Sequence, residues 1–269
     1  VPAAQDGVEY GVGLGPSMLS DRRWAEELFG KARLGDCRRT RRLVDLAEIL
    51  AGRPNESIAA LTKGDKTRQE GSYRFIRNDA VSSQDITEAG CDEALRQCKE
   101  KPLVLAIQDS TELSYRHASV RDKLGPVGNG RSKCARGFVV HTTLAVDGIG
   151  GVPIGIMDQV RWMRPNGAPT RDERKSRPYS EKESFKWQAA CERMQLKLGE
   201  WENTVVVGDR ESDIYELLAF CLRTKLRFVF RGSQNRKLLD DKERLLARVA
   251  SQPVLGRRTV VLGQRGGQG

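Results

Sequence analysis

Histidine is nearly missing from this sequence: 269 residues hold only His117 and His141. A zinc centre of the usual His/Cys kind is therefore not expected. The six cysteines, Cys37, Cys91, Cys98, Cys134, Cys191 and Cys221, form no C-x-x-C pair. They fall mostly on apolar helix faces and read as reduced, buried thiols, which suits the cytosol. No apolar run approaches the roughly 18–20 residues that span a bilayer. Residues 1–20 also lack a basic start followed by an apolar core, so neither a membrane span nor a secretion signal is expected. These absences predict a cytoplasmic protein whose metal sites, if any, are built from carboxylates.

Acid is the minority charge. Lys and Arg number 46 against 36 Asp and Glu, a net charge of +10, which favours a polyanionic partner. The basic clusters are not joined to a lipid-facing stripe of Trp, Phe and Leu, so nucleic acid is expected before an anionic membrane. There is no internal repeat, and only the terminal "GQRGGQG" approaches low complexity.

Residues 1–20 are Gly-rich and aperiodic, as expected of a flexible leader. From 21 to 100 the pattern is helical. Leu43, Leu46, Ala47 and Leu50 fall at i, i+3, i+4, i+7, as do Cys91, Ala94, Leu95 and Cys98, and Ser82-x-x-Asp85 resembles a capping box. This stretch carries "RRTRR" (38–42) and "EGSYRFIRN" (70–78) and reads as a small, basic, all-helical domain. After Pro102 the texture changes to strands. "LVLAIQD" is a short central-strand run; "FVVHTTLAV" and "GGVPIGIMDQV" read as a hairpin; the polar stretch beginning "RWMRPNGAP" reads as a surface loop. A helix (Trp187, Ala190, Cys191, Met194, Leu198), a strand ("TVVVGD"), a second helix and a last strand ("RFVFRGS") follow.

The order β-β-β-α-β-α-β is that of a ribonuclease H-like mixed sheet with flanking helices, an α/β fold, here over residues 101–256. In such a sheet the first and fourth strands are neighbours. Asp109 and Asp209 sit where those two strands run out, 100 residues apart by subtraction. Paired carboxylates there could bind Mg2+ or Mn2+ through oxygen. The plain alternative is that each aspartate only caps a turn. Arg210 reads either as a phosphate clamp or as a surface cation.

"LGDCRRTRRLV", "EGSYRFIRN", "AIQDSTELSYRH", "RWMRP", "KESFKW" and "GDRESDIYELL", in this order, resemble the bacterial cut-and-paste DDE transposases of the insertion-sequence-four type, from about Trp24 to about Gly256. The resemblance implies a catalytic and metal-binding role for Asp109 and Asp209, a phosphate contact for Arg210, and Mg2+ or Mn2+ as cofactor. It implies double-stranded DNA at transposon ends as partner, and recognition of those ends by the amino-terminal domain, where Arg38, Arg39, Arg42, Arg74 and Arg77 are the candidates. It also implies a homodimer formed only in the DNA complex of a full-length protein, and a place on the bacterial nucleoid.

The family's site has a third carboxylate, a glutamate on a late helix in a Tyr-Arg-Glu-Lys pattern, and nothing after Arg231 shows it. Residues 257–269 read as the start of a β-rich insertion or a tail. The expectation is a transposase fragment inactive by itself; the alternative is a non-catalytic DNA-binding remnant or regulator of transposition.

Overall fold

A computed structural model describes residues 20–128, 135–167, 171–199, 201–239, 243–257 and 259. The expected leader at 1–19, Cys134, and most of the expected tail lie outside the described residues. Helices α1 (Asp21–Phe29), α2 (Cys37–Gly52), α3 (Ile58–Leu61), α4 (Lys66–Ile76) and α5 (Ser83–Cys98) come first. Each starts at a side chain that accepts a backbone N–H left over by the first turn: Ser20, Asp36, Ser57, Asp65 and Ser82. At α5 the Ser82 hydroxyl accepts from Gln84 and Asp85, as the capping pattern predicts. Ala32, Leu34, Leu43, Leu46 and Phe75 make a small core under α1 to α4.

Helix α5 belongs to two cores. Ile86 and Ala89 in its first half pack on the helical core, while Leu95 and Cys98 in its second half are part of the sheet core.

The remaining elements are β1 (Val104–Tyr115), α6 (Ala118–Arg121), β2 (Gly125–Pro126), β3 (Arg136–Asp147), β4 (Pro153–Trp162), α7 (Arg171–Ser176), α8 (Lys186–Leu198), β5 (Thr204–Gly208), α9 (Tyr215–Arg223), β6 (Arg227–Phe230) and α10 (Leu245–Ala250). The sheet is mixed. β3 lies antiparallel between β1 and β4, with the two-residue β2 also on β3; on the other side of β1 lie β5 and then β6, both parallel. At Gly155 of β4 an added Cβ would stand 2.9 Å from the Ala94 methyl, so glycine is what lets α5 close on the sheet.

Burial alternates along β1, β3 and β5, the period-two signature of a sheet packed more tightly on one face. Val104, Ala106, Ala145 and Val206 on that face meet Trp187, Cys191, Met194, Leu217 and Cys221 of α8 and α9. The intervening Leu105, Ile107, Val140, Leu144, Val205 and Val207 are only half-buried, and Val229 is exposed. Cys91, Cys98, Cys191 and Cys221 are buried, as expected, and burial pushes their thiols up, Cys191 to about 12. Cys37 departs from the expectation and is exposed, because it opens α2 on its solvent side.

Two elements correct the sequence reading. β1 does not stop at Asp109 but runs on to Tyr115, because β3 pairs with it residue by residue to Arg136. The supposed loop after Val160 holds the end of β4, α7, and 3-10 turns at Tyr179–Glu181 and Glu183–Phe185. It is pinned by Arg164, whose guanidinium makes two bonds of 2.8 and 2.7 Å to Glu183 and a further one to Glu112. Charged residues that pair with one another leave no apolar period to read.

Candidate functional site: a carboxylate pair and a basic helical unit

The β1–β5 register decides whether the two aspartates meet. Val104 pairs with Thr204, and each following residue pairs with its counterpart up to Gln108 and Gly208. Asp109 is the next residue of β1, and Asp209 the first residue past β5. Adjacent strands are about 4.8 Å apart, and with side chains alternating, both aspartates stand on the less covered face, each exposed. The register is fixed at the far end by Asn203. Its side-chain amide donates to the Cys98 and Lys101 carbonyls at 3.0 and 2.7 Å, while its backbone carbonyl accepts from Val104 N–H at 2.8 Å.

Asp209 is also a cap. One carboxylate oxygen accepts from Glu211 N–H at 2.8 Å and starts the 3-10 turn Arg210–Ser212. The capping reading and the site reading are thus compatible, since the second oxygen takes no part in the cap. Arg210 is exposed on that turn, next to the pair in sequence. The pair offers hard oxygen donors from one side. That suits a Mg2+-like ion, which keeps several waters or substrate oxygens besides one or two carboxylates. Among the described residues no cluster of three or more His, Cys, Asp or Glu is arranged to hold a metal.

The neighbouring acids have other work. Glu112 lies in β1 and bonds Arg164 and the Gly128 N–H. Asp213 is a tether. Burial disfavours its charge, yet the N–H groups of Ser233 and Gln234, at 2.6 and 2.7 Å, and the Arg236 guanidinium hold its carboxyl below the usual range. It ties the segment after β6 to the turn after Asp209. Glu211 pairs with Lys186 at 3.4 Å, and His117 caps α6 by accepting from Ser119 N–H.

Sequence reasoning missed His141. It is fully buried on the packed face and bonded to Gln108 and Ser110, the two neighbours of Asp109. The antiparallel β1–β3 register, which sets Ser110 opposite His141, is what brings them together, and no local signal in the sequence marks it.

The five candidate arginines divide into two kinds. Arg39 is half-buried and donates to the backbone carbonyls of Leu34 and Ala80 at 2.9 and 3.3 Å, closing α2 onto the end of the α4 turn. Arg42 lies across Gly71 of α4, where an added Cβ would stand 2.8 Å from the guanidinium carbon. These two hold the domain together. Arg38, Arg74 and Arg77 are exposed; Arg74 keeps one weak helical pair with Glu70 at 3.3 Å, and Arg77 stands 5.6 Å over the Tyr73 ring. Glu70, Tyr73, Arg74, Arg77 and Asn78 line one groove along α4, where two arginines against one glutamate and an aromatic ring give the surface that a nucleic-acid backbone would meet.

No helix among the described residues is long and apolar enough to cross a membrane. Residues 21–81 match the family model described as Transposase DNA-binding, a match that takes in α1 to α4, stops one residue before the Ser82 cap of α5, and supports a transposase that binds DNA through its amino-terminal helices.

Proposed function

We propose that this protein is a DDE transposase of the bacterial insertion-sequence-four type, of the transposon-five kind, acting on the ends of its own element. The observation that carries the reading is the alignment of Asp109 and Asp209 on adjacent parallel strands and one face, in the same chain as a segment matching transposase DNA-binding domains. The order β4-β3-β1-β5-β6, with antiparallel strands on one side of β1 and parallel strands on the other, supports a ribonuclease H-like catalytic unit over 101–256.

In this reading residues 21–100 grip terminal DNA. The exposed Arg38, Arg74 and Arg77 meet phosphates, while Arg39 and Arg42 hold α2 and α4 in place behind them. Asp109 and Asp209 are the residues that would hold Mg2+ or Mn2+, and Arg210 binds a phosphate beside them. When bound, the ion would neutralise charge at the scissile phosphate and acidify water. The reaction class is phosphoryl transfer: water attacks a phosphodiester at the transposon end, and the freed 3′-hydroxyl then serves as nucleophile on target DNA.

A second reading, a DNA-binding regulator without catalysis, is favoured by one observation. The pair has no third carboxylate beside it among the described residues. One experiment separates the two: the purified chain is titrated with terminal DNA in rising salt, then incubated with it and Mn2+ beside Asp209→Ala. Cleavage that the variant loses establishes the enzyme. Selective binding without cleavage leaves an incomplete transposase if the wild type binds Mn2+ and Asp209→Ala does not, and the regulator if neither binds it; equal affinity for terminal and unrelated DNA contradicts both readings.

A further inference from the structure

We infer that His141 is a positioning residue for Asp109, acting through the two residues that flank it; the inference rests on the reading of Asp109 as a metal-holding carboxylate. Up to Gln108, β1 is held on both sides, by β3 and β5; from Asp109 onward only β3 holds it. The Asp109 carboxylate accepts no hydrogen bond from a described side chain, so its direction depends on how firmly the strand is held at this point. Gln108 and Ser110 turn to the packed face, and both end on one imidazole. His141 Nε2 lies 3.2 Å from Gln108 Oε1 and Nδ1 lies 2.9 Å from Ser110 Oγ.

The bonding pattern is self-consistent for one tautomer. Gln108 Nε2 donates to Cys191 Sγ at 3.3 Å, which turns its Oε1 to the ring as an acceptor. His141 Nε2 then carries the proton, and Nδ1 accepts from the Ser110 hydroxyl. The ring is locked from the side by Trp187, edge-on at 4.9 Å between centroids. A buried polar trio of this kind is costly unless every member is bonded. Val, Leu or Met at 108 and 141 would fill the same core without that constraint. What the polar trio adds is a clamp on residues i−1 and i+1 of an exposed aspartate.

The test uses the full chain, Mn2+ as probe, and Ser110→Ala, Ser110→Thr, His141→Gln and Asp109→Asn. Two readouts are taken: amide hydrogen exchange along β1 and Mn2+ affinity by calorimetry. Ser110→Ala and His141→Gln should speed exchange at residues 109–111 by tenfold or more while 104–107 stay protected. They should weaken Mn2+ binding by about 10–100-fold, the usual range when a partner behind a ligand is lost, and Ser110→Thr should restore both. Unchanged exchange at 109–111 in the folded variants overturns the positioning role whatever the metal does. Faster exchange with Mn2+ affinity the same in wild type and Asp109→Asn overturns instead the metal-holding reading on which the inference stands.

Discussion

The helical unit and the sheet use charge in opposite ways. In α1 to α4 the arginines are numerous and the core is small, and two of the five arginines that pattern points to, Arg39 and Arg42, are spent on the unit's own backbone and helix packing. In the sheet the charged residues at the site are few, and their placement follows from strand register alone. A basic run in sequence therefore says that a surface is cationic without saying which members face outward. Two aspartates that each follow an apolar run say little singly and a great deal once the strands are neighbours.

The largest effect that would break this contrast lies in the sheet core. Trp187 is almost wholly buried and touches both His141 and Lys186. Trp187→Ala should cost roughly 3–5 kcal/mol in urea unfolding. A loss under 1 kcal/mol would mean that the sheet does not depend on this core.

Acid should act on the same region. Burial, aided by Lys186 and Arg193, lowers the His141 pKa to about 4 against the Asp109 carbonyl, which favours the imidazolium. The unfolded chain takes up that proton near pH 6.5 and the folded one only near 4. Stability is thus unaffected above about pH 6.5 and falls as pH drops from there to about 4, by up to roughly 3 kcal/mol. In His141→Gln this part of the pH dependence should vanish, and an unchanged profile would show that His141 is not held neutral.

The register anchor gives a smaller effect. Asn203→Ala removes donors to two carbonyls, and should cost about 1–3 kcal/mol with Mn2+ affinity falling alongside. Loss of stability with metal affinity intact would remove Asn203 from the account of the site.

Smallest in stability, and sharpest for the helical unit, is the arginine comparison. Arg74→Ala should leave the melting temperature within error, weaken terminal-DNA binding, and lower the salt slope by about 1. Arg39→Ala should instead lower stability by about 1–2 kcal/mol. If both variants bind less DNA at equal stability, the division of the arginines into two kinds is wrong.

Much of this was legible in the sequence because period and caps are local signals. Cys91, Ala94, Leu95 and Cys98 are buried on α5 as their spacing implies, Ser82 caps it, and Trp187 to Leu198 form the inner face of α8. What escaped is nonlocal. β1 beyond Asp109 is polar and exposed, so only its pairing with β3 marks it as a strand. Arg164, Glu183 and Glu112 lie far apart in sequence, and their mutual pairing is invisible to hydropathy. Arg39 reads as one basic residue among several until its carbonyl partners, Leu34 and Ala80, are seen.

Whether Asp109 and Asp209 share a divalent-ion site decides the catalytic reading. Calorimetric titration of the full chain with Mn2+, beside Asp109→Asn and Asp209→Asn variants shown to melt cooperatively, tests it most directly. A shared site gives weak binding by the wild type that disappears in each variant. Equal Mn2+ binding by all three would contradict it and leave Asp209 as the cap of its turn and Asp109 as an exposed residue within β1.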